Sequence, residues 1–117
     1  MADTLGPNQS LGYNQSITSQ SGVYQLIMQT DGNLVIYKHI PGQPSRPIWA
    51  TNTSGTDCNR VIMQNDGNFV LYRVNNTAAW SSGTYGKNGS SIIMQNDGNL
   101  VIYQPHVPVW ASNTVQG

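Results

Sequence analysis

The stretch Gln29-Thr30-Asp31-Gly32-Asn33-Leu34-Val35-Ile36-Tyr37 occurs three times in this chain with its polar positions essentially unchanged. It returns at 64–72 as QNDGNFVLY and at 95–103 as QNDGNLVIY. Every copy keeps Gln, Asp, Asn, Val and Tyr at alternate positions, follows a Met and precedes a Trp. The chain therefore contains three repeats of about 31 to 35 residues, which predicts approximate threefold internal symmetry.

The Gln, Asp, Asn and Tyr of the repeat are the same in all three copies, which bears on whether the repeat has a function beyond folding. Core packing alone would keep the apolar positions similar and let the polar positions vary. An Asp before Gly often serves only as a turn former, and an Asn after Gly can cap a bulge. No turn, however, requires the Gln and the Tyr that all three copies share. We therefore interpret the repeat as three copies of a binding site as well as of a fold unit.

The composition excludes several classes of partner. Of 117 residues only 9% are charged, and five Lys/Arg balance five acidic residues to a formal net charge of zero. Such a chain has no electrostatic footprint for nucleic acid or for an anionic membrane. No apolar run approaches the ~18 residues of a membrane span. The polar surface must be built from amides and hydroxyls, which suits neutral, hydroxyl-rich partners.

The residue pattern is typical of an all-β protein. Short runs of Ile, Val, Thr and Tyr are bounded by Gly, Asn, Asp and Pro, and no segment sustains a helical apolar period. Each repeat is predicted to form a hairpin around its Asp-Gly turn and a third strand that opens with Trp, at 49–53, 80–84 and 110–114. A further strand before each hairpin gives about twelve strands in three sheets. We expect one domain over residues 1–117.

The parity of the strands specifies the turn. A two-residue Asp-Gly loop would pair Gln29 with Leu34 and place a polar and a large apolar residue on one face. A three-residue loop with glycine in the left-handed conformation pairs Gln29 with Asn33 instead. Each hairpin then has a core face and an opposite polar groove. In the first copy the core face is predicted to hold Leu26, Met28, Leu34 and Ile36.

The groove matches the chemistry of a pyranose, which presents vicinal hydroxyls and a patch of C–H bonds. It offers a carboxylate, two amides, a phenol and a small apolar wall. One carboxylate per repeat is too few for a hard cation, so neither a metal nor another cofactor is expected. The candidate site residues are Gln29, Asp31, Asn33, Val35 and Tyr37; Gln64, Asp66, Asn68, Val70 and Tyr72; and Gln95, Asp97, Asn99, Val101 and Tyr103.

The Trp residues and the single Cys are assigned to the fold. Trp49, Trp80 and Trp110 follow the repeat spacing, so we expect them in the core between the sheets, with sugar stacking as the less favoured role. Cys58 has no partner for an intrachain disulfide. It is interpreted as a partly buried small apolar residue, with intermolecular pairing as the alternative.

The pattern Q-x-D-x-N-x-V-x-Y, with W-A-[TS]-N-T after the first and third copies, resembles that of the monocot mannose-binding (bulb-type) lectins, typified by snowdrop agglutinin. The resemblance covers nearly the whole chain. It implies a β-prism II fold, in which three four-stranded antiparallel sheets surround a pseudo-threefold axis and each carries a sugar site. It also implies a non-enzymatic lectin that recognises mannose and high-mannose glycans, in glycan recognition or defence.

The resemblance further implies a role for each motif position. The Asp and Asn would bind the axial O2 of mannose, the Gln would bind O3, the Tyr hydroxyl would bind O4, and the Val would contact the C3–C4 region. All three copies match, so three competent sites are expected. Homodimerisation by exchange of the C-terminal strand, involving 110–114, is a further expectation from the resemblance.

The chain departs from the plant members of that family. They usually have a disulfide between a Cys at the position of Gly32 and one near Cys58. The N-terminus shows no basic and apolar regions of a secretory leader. We therefore expect a protein closer to leaderless fish or fungal members, either cytoplasmic or exported to an extracellular or mucosal surface by an unconventional route. Loops 38–48 and 104–109, with His39 and His106, are expected beside the sites.

Three alternatives compete with this interpretation. Glycoside hydrolysis needs two facing carboxylates, about 5 to 9.5 Å apart, whereas each repeat has one. A β-trefoil is also threefold, but its usual Q-x-W signature is missing. A protein-binding module on the same scaffold, toxin-like or inhibitory, is the more serious alternative, and its binding would not be competed by free mannose.

Overall fold

The computed structural model describes residues 2–116, which form twelve strands and no helix. The strands make three four-stranded antiparallel sheets, which confirms the predicted β-prism II class. No described segment is a helix long and apolar enough to cross a membrane. The strands are β1 (Thr4–Leu5), β2 (Gln9–Gly12), β3 (Ser16–Thr18), β4 (Tyr24–Met28), β5 (Leu34–Lys38), β6 (Arg46–Ala50), β7 (Cys58–Met63), β8 (Phe69–Arg73), β9 (Ala78–Ser81), β10 (Ser91–Met94), β11 (Leu100–Gln104) and β12 (Val107–Ala111).

Each sheet combines one repeat with an edge strand from the N-terminal segment. The strand orders are β3-β4-β5-β6, β2-β7-β8-β9 and β1-β10-β11-β12. The total of twelve agrees with the prediction, but no strand precedes the second and third hairpins within their own repeats. The segments between β6 and β7 and between β9 and β10 return across the preceding hairpin turn instead, so residues 4–18 supply all three edge strands.

The hairpin turn has three residues, as the parity argument predicts. Gln29 N donates to Asn33 O at 2.9 Å, and Met28 lies opposite Leu34 in the ladder. Gly32 has a φ of 88°, the left-handed conformation that a bulged turn of this kind requires. The matching bonds are 2.9 Å long for Gln64 to Asn68 and 3.0 Å for Gln95 to Asn99.

The core face of every hairpin is fully buried. Leu26, Met28, Leu34 and Ile36 are each 0% exposed, as predicted. Burying one such side chain contributes about 1.5–3 kcal/mol, so the three hairpin faces supply much of the driving force for folding. The equivalent residues at 0% exposure are Val61, Met63, Phe69, Leu71, Ile92, Met94, Leu100 and Ile102.

Cys58 lies deeper than predicted. Its side chain is 0% exposed at the start of β7, within the hydrophobic core cluster. The thiol is free. A buried thiol behaves as a small apolar group, which favours the first of the two interpretations over intermolecular pairing.

The three Trp rings meet around the pseudo-threefold axis. Their centroids are 5.5, 5.9 and 5.9 Å apart, and all three pairs are edge-to-face. Such pairs contribute about 0.5–1.5 kcal/mol beyond area burial. The rings are partly buried and packed against the core, which confirms their predicted central position.

The third strand of each repeat starts before its Trp and not at it. β6 ends at Ala50, one residue after Trp49, so the predicted span 49–53 is wrong, and β9 and β12 differ from the predicted 80–84 and 110–114 in the same way. Asn52 and Asn113 have φ values of 58° and 59°, and Gly83 has 73°. This left-handed residue takes the chain out of the ladder and directs it back toward the hairpin turn.

Two features require glycine in the hairpin turns: the positive φ, and backbone that packs where a Cβ would be. The closest such packing is at Gly67. A Cβ at Gly67, where φ is 90°, would lie 2.2 Å from Lys87 O, while one at Gly42, where φ is 78°, would meet nothing within 4 Å. We expect Gly67→Ala to lower the free energy of unfolding by about 3 kcal/mol or more and Gly42→Ala by about 1 kcal/mol. Urea denaturation of both variants measures this. Equal losses would contradict the close-approach argument.

Candidate functional site

The Gln and Tyr of each repeat are bonded to each other across the groove. In the first repeat Gln29 Nε2 donates to Tyr37 Oη at 2.5 Å. Both side chains are half-buried, so their remaining polar edges face solvent. The same pair is bonded in the other repeats, Gln64 with Tyr72 and Gln95 with Tyr103.

In each repeat one carboxylate oxygen of the Asp accepts a hydrogen bond within the turn, and the other lies on the groove side. Asp31 Oδ1 accepts from Asn33 N at 2.9 Å, the local bond of an Asx turn. The Oδ2 atom stays outside this bond, and in the first repeat it accepts from Ser54 Oγ at 3.2 Å. The Oδ1 atoms of Asp66 and Asp97 accept the same turn bond, at 3.0 and 2.9 Å.

The Asn of each repeat has its carbonyl oxygen engaged by the returning chain. Asn33 Oδ1 accepts from Thr53 N at 3.2 Å and from Thr51 Oγ1 at 3.3 Å. Its Nδ2 group makes no hydrogen bond within residues 2–116 and is left as a donor. Asn68 Oδ1 accepts in the same way from Gly83, Thr84 and Ser82, and Asn99 Oδ1 from Thr114 and Ser112.

A hydroxyl residue after each Trp, which the sequence reasoning missed, positions this Asn. Thr53 Oγ1 donates to Gly32 O at 2.6 Å and bonds Thr51 Oγ1 at 2.8 Å. The chain returning from β6 is thereby fixed to the turn. The signal in the sequence was present, since each Trp is followed at its second and fourth positions by Ser or Thr. The corresponding pairs are Ser82 with Thr84 and Ser112 with Thr114.

The Val of each repeat forms the floor of the groove. Val35 faces the groove side of β5, opposite Ile27, yet it is only 3% exposed. Val35 therefore lies beside the polar groups, as predicted, but most of its surface is covered by protein. Val70 and Val101 are similarly buried, at 3% and 4%.

Each groove thus presents a compact set of unsatisfied polar groups. No buried side-chain N or O atom within residues 2–116 lacks a partner, so the groups without one are open to solvent. They include the amide nitrogen of Asn and the free edges of Gln and Tyr. The second carboxylate oxygen of Asp has a weak donor in two grooves, Ser54 Oγ for Asp31 and the Gln64 amide for Asp66, each at 3.2 Å. Together they can accept and donate hydrogen bonds to two or three adjacent hydroxyls on a neutral ligand. No group of three or more metal-ligating side chains occurs in the described part of the chain.

The ends of the grooves beyond the Tyr differ between repeats. His39 stacks on Tyr37 with ring centroids 6.2 Å apart and bonds Gln25 Oε1 through Nε2 at 2.9 Å. In the third repeat, Gln95 and Tyr103 line a cavity of about 240 Å³ together with Ile93, Pro105 and His106. Both His residues therefore lie beside the grooves, as the sequence predicts.

Solved structures of three lectins are similar to the chain over nearly its whole length. The mannose-specific agglutinin of snowdrop (Galanthus nivalis), complexed with methyl-α-D-mannoside, is 38% identical with a TM-score of 0.77, over 98% of this chain and 99% of that chain. Monomeric monocot mannose-binding lectins from Gastrodia elata are 38% identical with a TM-score of 0.85, over 98% and 100%. The chain belongs to the bulb-type, or monocot mannose-binding, lectin family. The Japanese Marasmius oreades lectin is 32% identical to this bulb-type lectin with a TM-score of 0.86, over 97% and 92%.

The family membership establishes a carbohydrate-binding lectin and not an enzyme. No protein-family model and no curated protein matches this bulb-type lectin, so the likeness rests on solved structures. The position of Gly32 shows how the chain departs from the disulfide pattern described above. A Cβ there would lie 2.4 Å from Thr56 O, so in this bulb-type lectin the returning chain occupies the space that a side chain would need.

The hydroxyl that bonds the turn carbonyl should stabilise the site measurably. Thr84 is 7% exposed and its hydroxyl donates to Gly67 O, whereas Thr77 is exposed and its hydroxyl bonds only Asn75 Oδ1. Thr84→Val leaves a carbonyl unpaired and should lower the free energy of unfolding by about 1–2 kcal/mol. The matched variant Thr77→Val should cost about 0.5 kcal/mol or less. Chemical denaturation measures both, and a loss for Thr84→Val no larger than that for Thr77→Val would contradict the assignment.

Proposed function

We propose that this bulb-type lectin binds mannose and mannose-rich glycans at three sites, one in each hairpin groove, without a metal ion. The observation that carries the proposal is how the turn uses each polar group. In every repeat the turn and the returning chain engage one oxygen of the Asp and the oxygen of the Asn. A carboxylate acceptor and an amide donor are left side by side, which is the pair that one hydroxyl needs to accept and donate at once.

The roles of the residues follow from this arrangement and from the family pattern. In the first site, Asp31 and Asn33 hold the axial O2 that distinguishes mannose from glucose. Gln29 bonds O3, Tyr37 bonds O4, and Val35 lies beneath the C3–C4 region. The Gln–Tyr bond fixes both side chains before ligand arrives, so little rotamer entropy is lost on binding. The same roles fall to Gln64, Asp66, Asn68, Val70 and Tyr72, and to Gln95, Asp97, Asn99, Val101 and Tyr103.

Two observations support the proposal. Among the relatives, the snowdrop agglutinin is mannose-specific and is complexed with methyl-α-D-mannoside. Within this chain, the turn bond of the Asp and the bonds to the Asn oxygen recur in all three grooves, so the amide nitrogen of the Asn is left as a donor in each.

The sites act together. One exposed monosaccharide site of this kind should bind with a dissociation constant of about 1 mM, or ~4 kcal/mol. Three sites on one rigid body raise the avidity for clustered glycans by orders of magnitude. This suits recognition of mannose-rich cell surfaces, and we propose a role in defence at an extracellular or mucosal surface. Dimerisation by strand exchange stays a prediction, since here β12 pairs with β11 of its own chain.

Removing the three carboxylate charges should weaken mannose binding at every site while the turns are kept. The triple variant Asp31→Asn, Asp66→Asn, Asp97→Asn retains an oxygen for the turn bond but loses the charge-assisted acceptor, so the affinity of each site should fall about tenfold or more. Calorimetry with methyl-mannoside and binding to mannan measure the loss. Asp57→Asn is the matched control, because Asp57 pairs with Arg73 outside the grooves. Unchanged mannose binding by the folded triple variant would refute the site assignment.

Chelation should leave the binding unchanged. Each groove has one carboxylate, and no group of three or more metal-ligating side chains occurs within residues 2–116, so EDTA should remove nothing that the proposed contacts need. Agglutination of mannan-coated beads with and without EDTA tests this. Free methyl-mannoside should inhibit agglutination in both conditions. Loss in EDTA with recovery on adding calcium would overturn the metal-free mechanism, and agglutination that the free sugar does not inhibit would favour a protein-binding module.

A further inference from the structure

The residue that faces the Tyr across each hairpin is the strongest difference between the three grooves. The Gln, Asp, Asn, Val and Tyr of the motif are the same in all three repeats. By contrast, this position holds Gln25, Arg60 and Ser91 in the first, second and third repeats. They lie opposite Tyr37, Tyr72 and Tyr103 in the ladders. Of these three residues only Arg60 is a cation, so the second groove differs from the other two in the charge at this position.

Arg60 is held in place beside the second groove. Its guanidinium carbon lies 5.0 Å from the centre of the Tyr72 ring, within the range of a cation–π contact. Nη1 donates to Asn59 Oδ1 at 2.8 Å and to Arg73 O at 3.1 Å, and Nη2 donates to Asn76 Oδ1 at 2.6 Å. The side chain is half-buried and its orientation is fixed by three separate acceptors.

All of these acceptors are neutral, so the charge of Arg60 is not compensated. The one ion pair within residues 2–116 is that of Arg73 with Asp57, at 2.8 Å. The Asp57 hydrogen bond and charge raise the pKa of Arg73 above its ordinary value. The two arginines of this sheet thus differ in kind, since one is neutralised by a carboxylate and the other is not.

Arg60 also keeps hydrogen-bond capacity. A guanidinium has five N–H groups. Three are used in the bonds above, which leaves the Nε group and one Nη2 group. Nε and Nη2 are arranged to hold two oxygens of one oxyanion side by side, the bidentate geometry for which Arg is preferred over Lys. Together with the missing carboxylate, this indicates a site for an anion.

We propose that the second groove selects mannose residues that carry an anionic ester, a phosphate or a sulfate, at C6. The inference rests on the proposed function, because it takes the sugar to lie over Val70 with O4 at Tyr72. C6 is bonded to C5, the ring carbon next to C4, so a group at C6 extends past Tyr72 toward Arg60. Asp66 lies at the opposite end of the groove, beyond Gln64. The backbone of Gln64 is four residues from that of Arg60, or about 13 Å at about 3.3 Å per residue. The ester is therefore near the cation and away from the carboxylate.

The first and third grooves lack this feature and serve as internal references. Gln25 is bonded to His39, and Ser91 is a short neutral side chain. One chain would then carry two sites for neutral mannose and one for its anionic ester. It could bind neutral and phosphorylated or sulfated branches of the same glycan at once.

The test compares one neutral and two anionic ligands on a protein with only the second site. In the background Asp31→Asn, Asp97→Asn, calorimetry measures methyl-mannoside, mannose 6-phosphate and mannose 6-sulfate at low ionic strength. We expect the esters to bind about tenfold more tightly than methyl-mannoside, the factor of an ordinary charge-assisted bond. Arg60→Gln should remove this preference. The matched control Arg73→Gln, which removes the same charge from the same sheet, should retain it. The two esters separate a requirement for phosphate from one for any oxyanion.

A gain-of-function variant gives an independent arm. In the background Asp31→Asn, Asp66→Asn, only the third site remains, and Ser91→Arg places a guanidinium opposite Tyr103. We expect the affinity ratio of ester to methyl-mannoside to rise severalfold over that of the Ser91 parent.

The outcomes separate this inference from the proposed function. Binding of methyl-mannoside with no preference for either ester in the second-site protein overturns the anion site alone. Equal loss of preference in Arg60→Gln and Arg73→Gln also overturns it, because general charge would then explain the effect. An absence of binding to all three ligands in the single-site proteins and in the unmodified chain overturns both.

Discussion

The fixing of each hairpin turn by the returning chain is the interaction on which the rest of the structure depends. The glycine of the turn adopts a positive φ and so lets the next strand resume in register. The absent side chain leaves room for the backbone that comes back from the third strand, as close as 2.2 Å to the position of a Cβ at Gly67. That returning backbone engages the Asn oxygen and, through a Thr hydroxyl, the glycine carbonyl. Fold and binding groups are therefore set by the same few hydrogen bonds.

This arrangement combines a structural role with the proposed binding role in each polar residue. Asp31 uses one oxygen to close the turn, and Asn33 uses its oxygen to receive the returning chain, so neither can rotate away from the groove. Pre-organised donors and acceptors lose little entropy when a ligand binds. The structural and the functional interpretations of these residues, which compete when the sequence is considered alone, are both supported by the geometry of the turn.

Much of this could be predicted from the sequence because a period of two leaves little freedom. The polar and apolar alternation of 29–37 fixes which face is core and which length of turn joins the strands. The strand bounds near the Trp residues could not be predicted in the same way. Trp49 packs near the end of its strand, and the residues that follow leave the ladder to bond the turn, although their composition is also compatible with a strand. The alternation also places Arg60 opposite Tyr72, since both lie in the regular register before the bulge between Cys58 and Arg60. It could not indicate that neutral acceptors would hold the guanidinium over the ring.

The origin of the three edge strands has a consequence for how the molecule assembles. β1, β2 and β3 form one short run of chain, yet they complete sheets whose other members end as far along as Ala111. The second and third repeats therefore cannot complete their sheets by themselves, in contrast to a solenoid whose modules add one after another. Such non-local pairing slows folding, since long loops must be ordered before the contacts that reward them form. Losing residues 2–18 would uncover β4, β7 and β10 together, three bare strand margins through which neighbouring molecules could add and polymerise.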